Sequence, residues 1–202
     1  MPDQTQSHLM PDQPDSAYSW WRLVVSLAMS TIGGVGMWSV VVILPTIEVE
    51  FNISRADASL PYMATMIGFA TGGIFMGRLA DKRGVFVPLF FSALIMGSGY
   101  ILASYTTSLW QFIAVQAVCI GMLGSSASFA PLVADITHWF VKRRGIAIAI
   151  VASGNYVSGT IWPPLLTYGI EQYGWRTSYI AVGVFCICTM APLAFLLRRR
   201  PN

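Results

Sequence analysis

With 55% hydrophobic and only 10% charged residues in 202, this chain has too few polar side chains to cover a water-soluble globule. The net charge of +3 is spread over several separate points and forms no single basic groove, which argues against a nucleic-acid partner. Three cysteines, Cys119, Cys186 and Cys188, all fall inside apolar runs, where they act as small apolar side chains and offer no disulfide framework.

Residues 1–19 are rich in Pro, Asp, Gln and Ser, and Met-Pro-Asp-Gln occurs at 1–4 and again at 10–13. Nothing there can bury apolar surface, so a disordered tail is expected. It lacks the basic start and short apolar core of a cleavable signal, so it is expected to stay on the chain. From residue 20 onward, six apolar runs follow at about 23–46, 58–79, 87–105, 109–137, 146–170 and 178–197. Roughly 20 residues at ~1.5 Å each cross ~30 Å of hydrocarbon. Without the alternation of barrel strands, these runs read as helices. The expected fold is all-α, a polytopic membrane protein with six transmembrane helices over 20–202.

Of the 12 Lys and Arg residues, all but Arg55 and Arg176 lie on one set of loop ends. By the positive-inside rule both termini are expected in the cytoplasm; the plasma (cell inner) membrane is the expected location. Trp20, Trp21, Trp110, Trp139 and Trp175 sit near span ends, where interfacial anchoring is expected. The outer stretch 48–57 is acidic and reads as a solvated connector.

Between the second and third runs lies Gly77-Arg78-Leu79-Ala80-Asp81-Lys82-Arg83-Gly84. Asp81 can accept charge-assisted hydrogen bonds in one state and release them in another, and Gly84 allows a turn that would strain other residues. This loop resembles the Gly-x-x-x-Asp-Arg/Lys-x-Gly loop of the major facilitator superfamily, with Val85 and Phe86 where a further basic pair is usual. The resemblance covers the chain after residue 20. It implies a conformational latch built from Gly77, Arg78, Asp81, Lys82, Arg83 and Gly84, with Asp135 near the end of the fourth run as the expected partner of Arg78 or Arg83. The plainer reading is an ordinary positive-inside loop with a turn glycine.

A narrower likeness lies in His138-Trp139-Phe140-Val141-Lys142-Arg143-Arg144-Gly145 and the small residues leading to Gly154. It resembles the entry to the fifth span of monocarboxylate porters and oxalate/formate-type exchangers. The first run departs from such porters: Ile32-Gly33-Gly34-Val35-Gly36-Met37-Trp38 is not preceded by an acid. In the glycine-rich antiporter signature of drug exporters, Gly145 and Gly154 match, but Ser158, Gly159, Trp162 and Pro163 stand where Gly, Pro, Gly and Gly belong. The family builds each half from two inverted three-helix repeats. A shift of about ninety residues lays 81–84 over Glu171-Gln172-Tyr173-Gly174, the first run over the fourth and the second over the fifth.

Polar residues inside apolar runs must face protein or a water-filled path. Span five carries Ser153, Asn155, Tyr156 and Ser158; span four carries Gln116 and Ser125, Ser126 and Ser128 above Pro131. Asn155 offers donors and acceptors without a buried charge. By resemblance the first and fourth spans line the substrate cavity with the second and fifth flanking it. The candidate cavity residues are then Asn155, Trp38, Ser126, Tyr156, Gln116, Thr65 and Tyr62. The alternative is helix-to-helix glue. Two Gly-x-x-x-Gly pairs, Gly68/Gly72 and Gly73/Gly77, mark close packing either within the bundle or against another half.

No Lys, Arg, Asp, Glu or His lies near the centre of a run, and no metal-ligand spacing, nucleophile with a base, or phosphate-cradling loop occurs in a plausible context. No enzyme activity, metal or cofactor is expected. The resemblance implies a secondary transporter of a small organic solute, a monocarboxylate or other organic anion, working by alternating access in the lipid bilayer. Family members run to about twice this length, so a second six-helix half is the expected partner, supplied by the same gene, a separate chain or a second copy. The alternatives are a non-transporting fragment or partner subunit, and half of a drug exporter.

Overall fold

The computed structural model describes residues 15–198. Among them, six helices are long and apolar enough to cross a membrane: Ala17–Glu50, Arg55–Arg83, Phe86–Ser104, Leu109–Trp139, Arg144–Tyr173 and Trp175–Leu196, here spans one to six. No strand occurs among the described residues. Span one starts inside the segment read as tail, because Ser16 caps it by accepting from the Ser19 amide. Residues 1–14, the rest of the expected tail, lie outside the described residues.

The spans pack in pairs, with one on five, two on four and three on six as the main contacts. This pattern has a symmetry: exchanging spans one, two and three for four, five and six turns the first pair into the second and leaves the third unchanged. Backbone geometry repeats it. Gly84 ends span two at φ 81°, ψ 166° and donates to the Ala80 carbonyl; Gly174 ends span five at φ 81°, ψ 158° and donates to that of Ile170. Only glycine adopts that region readily, so the two turns need it. On the pseudo-axis, Gly97 of span three and Gly183 of span six let the two backbones touch, each facing the other's carbonyl.

Spans one and four are both interrupted, again ninety residues apart. Span one breaks for one residue at Gly34, between Ala17–Gly33 and Val35–Glu50. Span four runs as an α-helix over Leu109–Val115, widens to a π-helix over Gln116–Met122, tightens to a 3-10 turn over Ser125–Ser128 and resumes as α over Ala130–Trp139. Its serines divert the backbone: Ser126 donates to the Met122 carbonyl and Ser128 to that of Ser125, while Pro131 has no N–H to give. Span two presses on the widened turn, since a Cβ at Gly68 would meet the Ala117 carbonyl and one at Gly72 that of Met122. Gly73 and Gly77 have nothing within 4 Å. The first glycine pair packs inside the bundle, and the second lies on its open face.

Candidate functional site

The two interruptions meet. A Cβ at Gly33 would lie 2.2 Å from that of Ser128, and one at Gly36 2.0 Å from the Ser125 hydroxyl. Gly34 faces span five in the same way, with the Ser158 hydroxyl 2.5 Å and the Asn155 carboxamide oxygen 3.2 Å from its Cβ position. Small residues in span one thus admit polar side chains from spans four and five to the centre of the bundle. Ser30, Gly34, Ser125, Ser128 and Asn155 line a narrow pocket there, with Phe69 and Phe129 among its walls.

Three buried polar atoms at or beside this seam have no partner: the hydroxyls of Ser125 and Ser158 and Oε1 of Gln116. An unsatisfied buried polar group costs about 1–3 kcal/mol, so three of them gathered beside one seam are a costly arrangement for an apolar bundle. Gln116 is fully buried, with its Nε2 3.5 Å from the Gly36 carbonyl. Asn155 is half-buried, and its side chain has no hydrogen bond among the described residues.

Other candidates are deployed differently. Trp38 donates from Nε1 to the Asn155 carbonyl at 3.2 Å and lays its ring on Gly159; Trp162 of span five donates to the Thr31 carbonyl at 3.0 Å. Ser126 is buried with its hydroxyl on the Met122 carbonyl, and its neighbours Ser125 and Ser128 line the pocket instead. Thr65 is buried and donates to the Pro61 carbonyl. Tyr156 is 76% exposed and Tyr62 38%, on the open flanks of spans five and two. Ser30, which the sequence did not single out, joins the seam through its position one turn before the break.

At the end of the bundle where residues 15 and 198 lie, the loop 77–84 borders a cavity of about 580 Å3, lined by Asp81, Arg83 and Gly84 together with Arg22, Asp135 and His138. The expected partnership of Asp135 with Arg78 or Arg83 is corrected here. Arg22 takes both carboxylate oxygens, Nε to Oδ2 at 2.7 Å and Nη2 to Oδ1 at 2.9 Å, and also donates to the Leu197 carbonyl. The start of span one lies against the end of span four, so Arg22 reaches Asp135 from within the bundle while stacked over Trp139. Asp81, Lys82, Arg78 and Arg83 have no ion pair among the described residues. Asp15 reinforces the joint by accepting from the amides of Val141 and Lys142. The Lys142 amide bond, with the others nearby, holds the Asp15 carboxyl below its ordinary range despite some desolvation.

At the opposite end, Arg176 binds Glu50 at 2.6 Å and the carbonyls of Ser104 and Thr106, while the Trp175 indole also donates to Glu50. The stretch read as a connector is therefore helical up to Glu50 and tied to span six. Two of the expected anchors are corrected too: Trp139 and Trp175 are 1% and 5% exposed, because aromatic neighbours enclose them. Trp21 and Trp110, at 57% and 72%, do face outward.

Comparison with known proteins agrees with this architecture. The family model of the Major Facilitator Superfamily matches residues 25–202. "MFS-type transporter 1" of Ophiocordyceps sp. is 27% identical over 91% of this chain and 41% of its own length. The "Fujikurins efflux protein" of Gibberella fujikuroi is 30% identical over 73% of this chain and 32% of its own. "Monocarboxylate transporter 6" of Mus musculus is 24% identical over 88% and 38%. The chain spans between 30% and 44% of the length of these and similar curated relatives. Six apolar helices, paired about a pseudo-twofold axis with glycine turns in register, and a family match across nearly all of them lead to one statement: this integral membrane chain belongs to the major facilitator superfamily.

Proposed function

We propose that this chain is one half of a secondary transporter that moves a small organic solute across the plasma membrane by alternating access, with both termini cytoplasmic. The observation that carries the reading is the seam where the breaks in spans one and four meet span five. There, unpartnered hydroxyl and amide groups gather in the interior of an apolar bundle, and lipid offers them nothing. Asn155, Ser125, Ser128 and Ser158 supply donors and acceptors to the solute, Gln116 and Trp38 support them, and Tyr156, Tyr62 and Thr65 belong to the flanks toward a second half. Ser126 acts by shaping the 3-10 turn.

The substrate class we favour is a monocarboxylate or other organic anion, supported by the likeness of 138–154 to monocarboxylate porters and by a relative named for such transport. The seam holds no cation, so the counter-charge for an anion comes from the second half. Efflux of a larger organic product is the second reading, favoured by relatives named as fujikurin and agnestin efflux proteins. Asp81, with Gly77, Arg78, Lys82, Arg83 and Gly84, is the latch that closes on the other half; Asp135 contributes by fixing Arg22 beside it.

The test is uptake of labelled monocarboxylates by cells or liposomes holding this chain with a second six-helix half, with and without a pH gradient. Saturable uptake that is lost in Asn155→Ala and Ser125→Ala supports the organic-anion reading. Export of apolar dyes without monocarboxylate uptake moves the assignment to efflux, and no flux of either kind refutes transport.

A further inference from the structure

Beside its serines, the pocket at the seam is walled by four larger side chains that keep some surface of their own: Met37 of span one, Phe69 of span two, Phe129 of span four and Asn155 of span five, all half-buried. Their chemistry is uneven. Two are aromatic rings from different spans, with centroids 6.4 Å apart and planes tilted by 48°. Met37 adds a polarisable thioether, and Asn155 is the one large polar group, its carboxamide free of hydrogen bonds among the described residues.

No Lys, Arg, His, Asp or Glu is among the described residues that line this pocket. A carboxylate placed here would shed its water for one amide and no opposite charge, which costs more than the contact restores. The uncharged body of an organic anion is under no such penalty. Against phenylalanine that body gains most if it is itself a ring. Two aromatic groups at about 4.5–7 Å attract beyond the area they bury, and a thioether favours a ring as neighbour. A saturated body gains the buried area alone.

The rings can also be reached. Phe69 stands on the same face of span two as Tyr62 and Gly73, at helical spacing. Tyr62 is 38% exposed, and a Cβ at Gly73 would have nothing within 4 Å. That face is the open one, so a solute held between this half and a second would meet Phe69 from the side, with its charged head turned away from the seam.

Resting on the transport reading, we infer that this half selects aryl monocarboxylates. Phe69, Phe129 and Met37 hold the ring, Asn155 meets a polar substituent on it, and the carboxylate projects toward the second half, where its counter-charge lies. Phe69 and Phe129 are then the specificity-determining residues of this half.

The test compares labelled benzoate with cyclohexanecarboxylate, which has the same carbon count and charge without the aromatic ring, and with acetate, which has no body to place. Counterflow is measured at neutral pH, where all three acids are ionised, in proteoliposomes holding this chain with a second six-helix half, against protein-free liposomes. The expected result is a kcat/KM for benzoate about three- to tenfold above that for cyclohexanecarboxylate, and higher still relative to acetate. Phe69→Leu and Phe129→Leu each keep an apolar side chain and should lower the benzoate-to-cyclohexanecarboxylate ratio about threefold, with melting temperature as the check on folding. Equal handling of the two cyclic acids, or a ratio that survives the double variant, overturns the ring assignment while transport stands. Flux of acetate alone does the same. Absence of flux for every acid refutes transport itself, and this inference with it.

Discussion

Arg22 illustrates how far a side chain's role depends on what lies beside it. By position it is one more basic residue at a span end; in the fold its side chain is 1% exposed and holds Asp135, at 10%, in a two-pronged pair. Breaking a buried pair strands a charge, whereas replacing both members by apolar groups removes the problem. Arg22→Gln or Asp135→Asn alone should therefore destabilise the bundle by about 3–5 kcal/mol. The double variant Arg22→Met with Asp135→Leu should recover most of that loss, as read by denaturant titration in mixed micelles. Near it, Asp15 has a folded-state pKa below its unfolded value. Its contribution is thus present above the unfolded value, about 4, and is lost as pH falls through the folded one. A fall in the protection factors of the Val141 and Lys142 amides on acidification, relative to the intrinsic exchange rate at each pH and absent in Asp15→Asn, is the expected sign.

At the scale of elements, close packing and open faces separate cleanly along span two. A Cβ at Gly72 would come 2.0 Å from the Met122 carbonyl, a backbone atom that cannot swing away, while Gly73 has open space. Gly72→Ala should cost about 1–3 kcal/mol through forced backbone shifts, and Gly73→Ala should leave thermal stability within about 0.5 kcal/mol. Six spans are legible in the sequence because each needs only a long apolar run, and the overlay of 84 on 174 anticipates the matching turns. The breakdown of span four into π, 3-10 and α segments is not legible. It depends on serine hydroxyls choosing backbone acceptors and on span two pressing into the widened turn, and both are tertiary events. For the same reason Asn155 and Gln116 could be picked out as costly polar residues, whereas the choice of Ser125 over Ser126 as pocket wall needed the local twist of the chain. The partner of Asp135 was hidden because Arg22 lies 113 residues away in sequence.

At the scale of the molecule, fastenings at both ends of the bundle tie spans one, three, four and six to one another. Arg22 with Asp135 holds spans one and four at one end, and Arg176 with Glu50 joins spans one and six at the other, with the Ser104 carbonyl at the end of span three included. Under the alternating access proposed above, this half would rock against a second one, and Asp81, in no ion pair among the described residues, would be free to engage it. Asp81→Asn, changing an exposed and unpaired group, should leave expression and melting temperature unchanged while abolishing exchange by the assembled transporter. Counterflow in proteoliposomes provides the check, and normal exchange removes the latch assignment. The crossed indoles of Trp38 and Trp162, each donating to the opposite span's backbone, carry one more consequence. Because indole emission shifts when its N–H loses an acceptor or gains water, these two rings form a built-in optical gauge of the spacing between spans one and five. With the remaining tryptophans replaced by phenylalanine, their fluorescence would report whether that seam stays shut through a transport cycle or breathes with it.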